Sequence, residues 1–259
     1  MSTLAHAHQE EAPFIHGVTL DGVSKQFTAD GPPVLDRISL HLEAGEFVCL
    51  LGASGCGKST LLSLIAGLDK PTSGNIITNG RASLMFQEPA LFPWLAAGAN
   101  IELALRFAGV PAGDRAARAR ELLELVHLDR SYDQRPHELS GGMRQRVVLA
   151  RALAQNASVL LMDEPFAALD AVTRDVLHDE LTRIWQETGI TVVFVTHNVR
   201  EAVRLGQRVL LMSSRPGRIV KEWTVDAPQP RRIESDAVSS LARVITDELR
   251  EEIRRHGRA

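Results

Sequence analysis

The sequence predicts an α/β fold in which helices cover both faces of a mainly parallel sheet. Four short, unbroken apolar runs carry this prediction, at residues 47–51, 159–162, 192–195 and 209–212. Runs of this kind are typical of central strands that are buried on both faces. Between the first two runs, residues 95–157 have apolar residues at helical spacing, so we expect a helical subdomain inserted into the α/β core.

The regions that flank this core have other patterns. Apolar and polar residues alternate at 18–20 and 38–42, which predicts an N-terminal antiparallel β subdomain with one solvent-facing side. Residues 213–217 predict a turn, and residues 236–256 predict a final amphipathic helix that either packs on the domain or binds a partner. The apolar residues expected near one face of this helix are Val238, Leu241, Val244, Ile245, Leu249 and Ile253.

These patterns divide the chain into three parts. We expect a flexible tail at residues 1–15, one large domain at 16–235, and a C-terminal helix and tail at 236–259. The helical subdomain is expected at about 95–157, with one of its helices at 116–128. A chain of this length is long enough to bury a sizeable core.

Composition and charge exclude several classes of protein. Hydrophobic residues make up 44% of the 259 residues and charged residues 24%, as in an ordinary globular protein. The net charge of −3 gives no basic excess, so we expect no nucleic-acid partner. No apolar run approaches the roughly 18 residues that cross a bilayer, and residues 1–11 do not resemble a secretory signal. We therefore expect any work at a membrane to go through partner proteins.

Cysteines and tail histidines give only weak signals. The two cysteines, Cys49 and Cys56, do not form a disulfide framework and favour a reducing compartment. His6 and His8 suggest a metal site, but two histidines in a polar tail are more often solvated.

The strongest motif is a glycine-rich loop that follows the run at 47–51. It matches the pattern GxxxxGK[ST] and precedes a helical segment, and this context is typical of a phosphate-binding loop rather than of a chance turn. Its backbone N–H groups and the helix N-terminus would face phosphate oxygens. Lys58 would reach the β- and γ-phosphates, and the Ser59 hydroxyl would bind Mg²⁺. The residues expected to hold the nucleotide here are Gly52, Ala53, Ser54, Gly55, Cys56, Gly57, Lys58, Ser59 and Thr60.

Cys56 lies inside this loop, two residues before Lys58 and close to the predicted helix N-terminus. Both features would lower the pKa of its thiol. We therefore expect alkylation of Cys56 to block ATP binding, and bound ATP to slow the alkylation.

Two carboxylates end the apolar run at 159–162. Asp163 is placed to hold Mg²⁺ and its waters beside the phosphate loop. Glu164 points elsewhere and would polarise the attacking water as a general base. Alone, two acids at a strand end equally fit a solvated surface, but their position after a phosphate loop favours the catalytic interpretation.

A second glycine-rich loop, Ser140-Gly141-Gly142, also opens a predicted helix. Ser140 is a good N-cap residue, and the two glycines expose the backbone. The loop therefore suggests a second anion site, for which a single bound nucleotide has no evident need. Two chains that face each other would explain the second anion site, because each chain would complete the nucleotide site of the other.

Six motifs in this order resemble those of ABC-type ATPases, and the resemblance covers about residues 16–222. It implies a P-loop NTPase core of the RecA-like type. The matching segments, in chain order, are residues 52–60 (Walker A), Gln87 (Q-loop), 139–142 (signature motif), 159–164 (Walker B with its catalytic glutamate), 168–170 (D-loop) and His197 (switch histidine).

The resemblance also implies an ATP-dependent homodimer. Two chains would close head to tail around two ATP molecules, each held between Walker A of one chain and residues 140–142 of the other. His197 would contact the γ-phosphate, Gln87 would bind Mg²⁺ and link it to the membrane subunit, and Asp170 would act across the interface. An aromatic residue before the first hairpin usually stacks on adenine; Phe27 is the candidate, although it equally fits a core position.

Two longer segments narrow the resemblance. Residues 85–94 and 163–174 are similar to the ATPase subunits of bacterial importers for nitrate, sulfonates, taurine and related small anions. This implies integral membrane permease subunits and an extracytoplasmic solute-binding protein as partners, with peripheral attachment at the cytoplasmic face of the inner membrane. Phe92, Pro93 and Trp94 would form an apolar groove for a partner helix, unless the two aromatic residues belong to the core.

Other functions stay open at this point. The separate ATPase of an ABC exporter fits the same motifs, and so does a non-transport ABC ATPase that acts on nucleic acid or ribosomes. The latter usually contains two nucleotide domains, long coiled coils or zinc modules. A GTPase is disfavoured because no Asn is followed by Lys, and a simple kinase leaves Ser140 and His197 unexplained.

Overall fold

The computed structural model describes residues 16–233 and 235–256. The predicted tail at 1–15, with the suggested metal site at His6 and His8, lies outside these residues. In chain order the elements are β1 (His16–Lys25), β2 (Leu35–Glu43), β3 (Phe47–Gly52), α1 (Lys58–Ile65), β4 (Ser73–Thr78), β5 (Ala82–Met85), α2 (Ala97–Phe107), α3 (Ala112–Leu125), a 3₁₀ turn (Pro136–Glu138), α4 (Gly141–Leu153), β6 (Val159–Asp163), α5 (Ala171–Thr188), β7 (Thr191–Val195), α6 (Val199–Leu205), β8 (Arg208–Met212), β9 (Ile219–Thr224) and α7 (Asp236–His256).

A six-stranded sheet in the order β5-β6-β7-β3-β8-β9 forms the core. Its neighbouring strands are parallel except for the pair β8 and β9. The four predicted apolar runs form β3, β6, β7 and β8, which confirms the parallel α/β core. Alternate residues of β3 belong to two separate hydrophobic clusters, with Cys49 in one and Val48 in the other. The sheet is therefore buried on both faces, and the small sheet shares the cover of one face with α1.

The register of the parallel strands brings their carboxyl ends to one level. Val195, the last residue of β7, is the partner of Leu50 in β3 and of Asp163 in β6. Gly52 ends β3 and Met85 ends β5 at the same edge. In parallel sheets this edge is where ligands bind, so the predicted site residues that follow these strands share one location.

A separate three-stranded antiparallel sheet, in the order β2-β1-β4, confirms the N-terminal β subdomain. Strand β2 alternates between buried and more exposed residues, as its pattern predicts. Strands β4, β5 and β9 were not predicted, because β4 and β9 are mostly exposed and β5 has only four residues. None of the three contains a long apolar run that a pattern could detect.

The predicted helical insertion contains α2, α3 and α4, with contacts between all three pairs. The helix expected at 116–128 begins earlier, directly after Pro111, and ends at Leu125. Pro111 is the N-cap residue, and its φ of −56° is compatible with the start of a helix. His127 adopts a left-handed conformation with φ of 53° and cannot continue the helix.

The C-terminal helix α7 occupies the predicted residues and packs against α6. Val238 and Ile245 are fully buried, whereas Val244 and Ile253 are about half exposed. The expectation that these last two share the apolar face is wrong, because at 100° per residue they flank the buried stripe. The division into a domain at 16–235 and a C-terminal part stays a prediction.

Within the described ranges, every helix lacks the length or apolarity needed to cross a bilayer.

Candidate nucleotide-binding and hydrolysis site

The phosphate loop joins β3 to α1 at the carboxyl edge of the sheet. Gly57, directly before α1, has a φ of 98°, in the region that favours glycine. A Cβ atom at this position would also lie 2.6 Å from Leu35 Cδ2. Conformation and packing therefore both require glycine here, as the motif predicts. Ser59 and Thr60 lie in the first turn of α1, where backbone N–H groups have no helical partner and suit an anion.

Lys58 is held inside this loop by the loop's own backbone. Its Nζ donates to the carbonyl oxygens of Gly52 at 2.8 Å and Ala53 at 2.9 Å. The residue is only 7% exposed, so its ammonium group is fixed among polar acceptors rather than free in solvent. This arrangement places one positive charge within the glycine-rich turn, where a phosphate would need it.

Cys56 does not behave as the sequence predicts. Its side chain is 1% exposed, and burial raises the pKa of the thiol above its ordinary value. Lys58 acts in the opposite direction, with its Nζ 3.7 Å from Sγ, but the loss of hydration is the larger effect. The prediction that the Cys56 thiol has a lowered pKa is therefore wrong. We do not expect rapid alkylation of Cys56 in the native protein. The sequence could not reveal this, because burial depends on the tertiary fold.

Glu164 and His197 form the centre of the candidate site. Asp163 ends β6, and Glu164 follows with a left-handed φ of 45°, held by a hydrogen bond from its N–H to the Val195 carbonyl at 3.0 Å. Non-glycine residues in this conformation often occur at functional sites. The Glu164 Oε2 atom lies 2.9 Å from His197 Nδ1. The two residues predicted to act on water and γ-phosphate therefore contact each other.

Gln87, two residues after β5, has an exposed side chain at the same edge. Its carbonyl oxygen accepts a hydrogen bond at 3.2 Å from the Nε2 of Gln145, which also donates to the Pro165 carbonyl at 2.6 Å. Gln145 lies on α4 and is 2% exposed. One buried amide thus ties the helix of the signature motif to the Q-loop and to the segment after Glu164. Sequence reasoning missed Gln145, and no pattern marks it.

The second glycine-rich loop is built differently from the first. The Ser140 Oγ caps α4 by accepting the Met143 N–H at 3.2 Å, which confirms Ser140 as an N-cap. At Gly142 a Cβ would come within 2.5 Å of Thr173 Cγ2 on α5, whereas Gly141 has its nearest neighbour at 3.5 Å. Gly142 is therefore needed for helix packing. A role of residues 140–142 in binding phosphate stays a prediction.

Two further predicted residues have defined surroundings. Asp170 caps α5 by accepting the Thr173 N–H at 3.0 Å, and hydrogen bonds from Thr173 lower the pKa of its carboxyl group. Phe27 is 64% exposed, and Lys25 Nζ lies 5.1 Å from its ring centroid. Phe27 is therefore not a core residue, and the ring face opposite Lys25 is available for stacking.

The residues that would hold Mg²⁺ offer only oxygen ligands. Ser59 in the first turn of α1, Gln87 after β5 and Asp163 at the end of β6 supply a hydroxyl, an amide and a carboxylate, a set that suits a hard cation. Among the described residues no group of three or more His, Cys, Asp or Glu side chains is positioned to bind a metal. Mg²⁺ is usually held by one or two protein ligands together with phosphates and waters.

Comparisons with known proteins identify the family of this chain. Residues 35–167 match the family described as ABC transporter. A taurine import ATP-binding protein of Rhizobium johnstonii is 49% identical over 85% of this chain and 87% of its own length. A nitrate import ATP-binding protein of Synechocystis sp. is 48% identical over 75% of this chain and 76% of its own length.

Solved structures agree as well. A dimeric ATP-binding cassette in a post-hydrolysis state, bound to ADP and Pi, has a TM-score of 0.71 and 33% identity. The match covers 82% of this chain and 100% of that chain. The fold of the chain is thus that of an ATP-binding cassette. The chain is an ATPase of the ABC transporter family, of the same kind as the taurine and nitrate import ATP-binding proteins.

Proposed function

We propose that this chain hydrolyses MgATP to energise the import of a small solute, such as nitrate, a sulfonate or taurine, through a membrane permease. The contact between Glu164 and His197 beside the phosphate loop carries the hydrolytic part of this proposal. The similarity to import ATP-binding proteins supports the transport direction. The relatives named for taurine and for nitrate are almost equally similar to this chain. We therefore expect the partner proteins, rather than this chain, to select the solute.

The chemistry follows from the residues at the carboxyl edge. Lys58 and the N–H groups at the start of α1 would bind the phosphates, and Ser59, Gln87 and Asp163 would hold Mg²⁺, which when bound would neutralise phosphate charge. Glu164 accepts a proton from the attacking water. His197 orients the Glu164 carboxylate through the 2.9 Å contact and would contact the γ-phosphate.

A second copy of the chain completes the site. The Ser140 side chain is exposed at the N-terminus of α4, which packs on α2, α3, β5 and α5. Helix α1, with the phosphate loop, packs on β4, β5 and β6. The two glycine-rich loops thus belong to different parts of the molecule, and residues 140–142 would meet a phosphate held by another chain. Phe27 would stack on adenine, and Asp170 would act at the same interface.

A permease would dock on a groove between the core and the helical subdomain. A cavity of about 830 Å³ lies between α1, β4 and β5 on one side and α2 and α4 on the other. Phe92 lines this cavity, and Trp94, which is 67% exposed, packs against Phe92 with ring centroids 5.5 Å apart. Exposed aromatic residues at a groove are typical of a partner site. Docked in this way, the chain would lie peripherally at the cytoplasmic face of the membrane, with an extracytoplasmic solute-binding protein on the far side.

Isolation of the intact complex tests this function. A tagged Glu164→Gln variant with ATP is used to pull partners from gently solubilised native membranes, and these partners are identified by mass spectrometry. We expect a multi-span permease with an associated solute-binding protein. Recovery of only ribosomal or DNA-bound proteins would contradict the transport function and leave the ATPase.

A further inference from the structure

A chain of buried hydrogen bonds begins next to His197. Thr196 precedes it, directly after β7, and is 2% exposed. Its hydroxyl donates to Oε2 of Glu201 and accepts the N–H of Asn198 at 3.0 Å. One side chain thus fixes the backbone on both sides of His197, and Glu201 on α6 holds that side chain in place.

His178 on α5 supports Glu201 from the other side. Its side chain is 1% exposed, and its Nε2 atom lies 2.6 Å from Oε1 of Glu201. The Nη1 of Arg204 lies 3.3 Å from His178 Nδ1. Because arginine only donates hydrogen bonds, Nδ1 is the acceptor, and the imidazole proton lies on Nε2 and is donated to Glu201. Both carboxylate oxygens of Glu201 therefore have a donor.

The charges around this pair are balanced. Arg204 forms ion pairs with Asp175 at 2.6 Å and with Asp179 at 2.8 Å, both on α5. Asp175 and Asp179 thus balance the positive charge of Arg204 near Nδ1 of His178. Glu201 remains the hydrogen-bond acceptor for His178 and Thr196. Buried polar groups are stable only when paired in this way, so loss of one member affects the others.

The chain segments that contain Glu164 and His197 are each connected to His178. Phe166, two residues after Glu164, packs on the His178 ring with centroids 5.6 Å apart. The Glu201–Thr196 bonds connect His178 to the segment that contains His197. A small cavity of about 20 Å³, lined by Glu164, His197, Thr196 and Glu201 among others, separates the hydrogen-bonded chain from the hydrolytic pair.

We propose that His178 is a positioning residue for ATP hydrolysis. Acting through Glu201 and Thr196, it fixes the backbone of residues 196–198, so that His197 keeps its contact with Glu164. The inference rests on the proposed roles of Glu164 and His197. It predicts an effect on turnover without an effect on nucleotide binding, because His178 does not belong to the phosphate loop.

Two substitutions at one position test this inference in the isolated full-length protein. His178→Leu keeps an apolar body but leaves Oε1 of Glu201 without a donor, and we expect kcat for ATP hydrolysis to fall about tenfold, because small displacements of catalytic groups are costly. The Kd for ATP should stay within about twofold, since the charged contacts that bind phosphate are unchanged. His178→Gln keeps an N–H donor for Glu201 and should restore most of the turnover.

Thr182→Val is the matched control. Thr182 lies one turn further along α5, and its hydroxyl bonds only the His178 carbonyl at 2.8 Å within the described residues. This variant should keep its kcat. Thr196→Val, which removes the other end of the hydrogen-bonded chain without a change in volume, repeats the kcat test if His178→Leu does not fold.

Each outcome separates the inference from the function on which it rests. Normal kcat in both His178→Leu and Thr196→Val overturns the positioning role, and so does a His178→Gln variant as defective as His178→Leu. An equal loss in Thr182→Val would mean that general loss of stability explains the effect. If the unmodified protein hydrolyses no ATP, or if Glu164→Gln is fully active, the proposed site itself is wrong.

Discussion

The chain contains two glycine-rich loops that each open a helix, and they use glycine for different purposes. In the phosphate loop, Gly55 and Gly57 adopt positive φ angles of 75° and 98°, and the backbone curls around the Lys58 ammonium. In the signature loop, Ser140 caps the helix and Gly142 makes room for Thr173 on α5. The first loop is thus shaped to surround an anion. The second loop is a helix N-terminus that its own Ser140 side chain already caps. This difference suggests that the second loop serves a ligand already bound to another chain.

The largest expected effect concerns the first loop. Lys58→Ala should weaken ATP binding by roughly 10²-fold or more and abolish turnover, because charged hydrogen bonds contribute about 1.5–3 kcal/mol each. Equilibrium nucleotide binding and phosphate release measure the two effects. Lys70→Ala, an exposed lysine outside the loop, is the control. ATP affinity close to that of the unmodified protein would show that the loop does not hold the phosphates.

The second loop should respond in a different way. Ser140→Arg places a bulky charge on an exposed position, so ATP binding to the monomer should stay near normal while hydrolysis falls to background. The same two assays apply. Ser235→Arg is a matched control, because Ser235 is also exposed and its Oγ also accepts the N–H three residues further, before α7. Loss of ATP binding by the monomer would instead place Ser140 in the site of its own chain.

The packing role of Gly142 gives a smaller effect, on stability. Gly142→Ala should lower the free energy of unfolding by about 1–3 kcal/mol, the usual cost of overpacking, because its Cβ would lie 2.5 Å from Thr173 Cγ2. Thermal or urea unfolding measures the loss. Thr173→Ser removes the clashing methyl group and should restore most of it. Gly141→Ala, with 3.5 Å to its nearest neighbour, should cost little, and an equal loss there would refute the packing explanation.

The smallest effect concerns the thiol inside the phosphate loop. Burial raises the pKa of Cys56, so at pH 8 a smaller fraction is thiolate in the folded protein than in the unfolded chain. Alkylation of native Cys56, followed by peptide mapping, should therefore be at least ~10-fold slower than in urea, since only the thiolate reacts. Equal rates in the two states would mean that the thiol is accessible and not held by burial.

Much of the fold and the centre of the site could be predicted from local pattern. Unbroken apolar runs determine β3, β6, β7 and β8, and the GxxxxGK[ST] spacing determines the loop around Lys58, because both depend on neighbouring residues. Sequence motifs also predicted Glu164 and His197 individually. Their 2.9 Å contact depends on strand register, which no local pattern contains.

Other features depend on distant parts of the chain and could not be predicted. The sign of the Cys56 pKa shift was wrong because the buried environment comes from the tertiary fold. Gln145 and His178 lie next to other polar residues in their helices, and only the structure shows that these two are buried and which distant groups they bond. Strand β4 has no alternation of apolar and polar residues. It forms because its backbone pairs with β1.

The most direct test of the composite site is the association state of Glu164→Gln with ATP. Loss of the general base should slow hydrolysis by roughly 10²–10⁴-fold, so the ATP-bound form should accumulate. On size-exclusion chromatography with light scattering, we expect Glu164→Gln to be a dimer with ATP and a monomer without it. Adding Ser140→Arg to the same variant should restore the monomer. A Glu164→Gln protein that stays monomeric with saturating ATP, or a dimer that Ser140→Arg leaves intact, would contradict a site shared between the two glycine-rich loops.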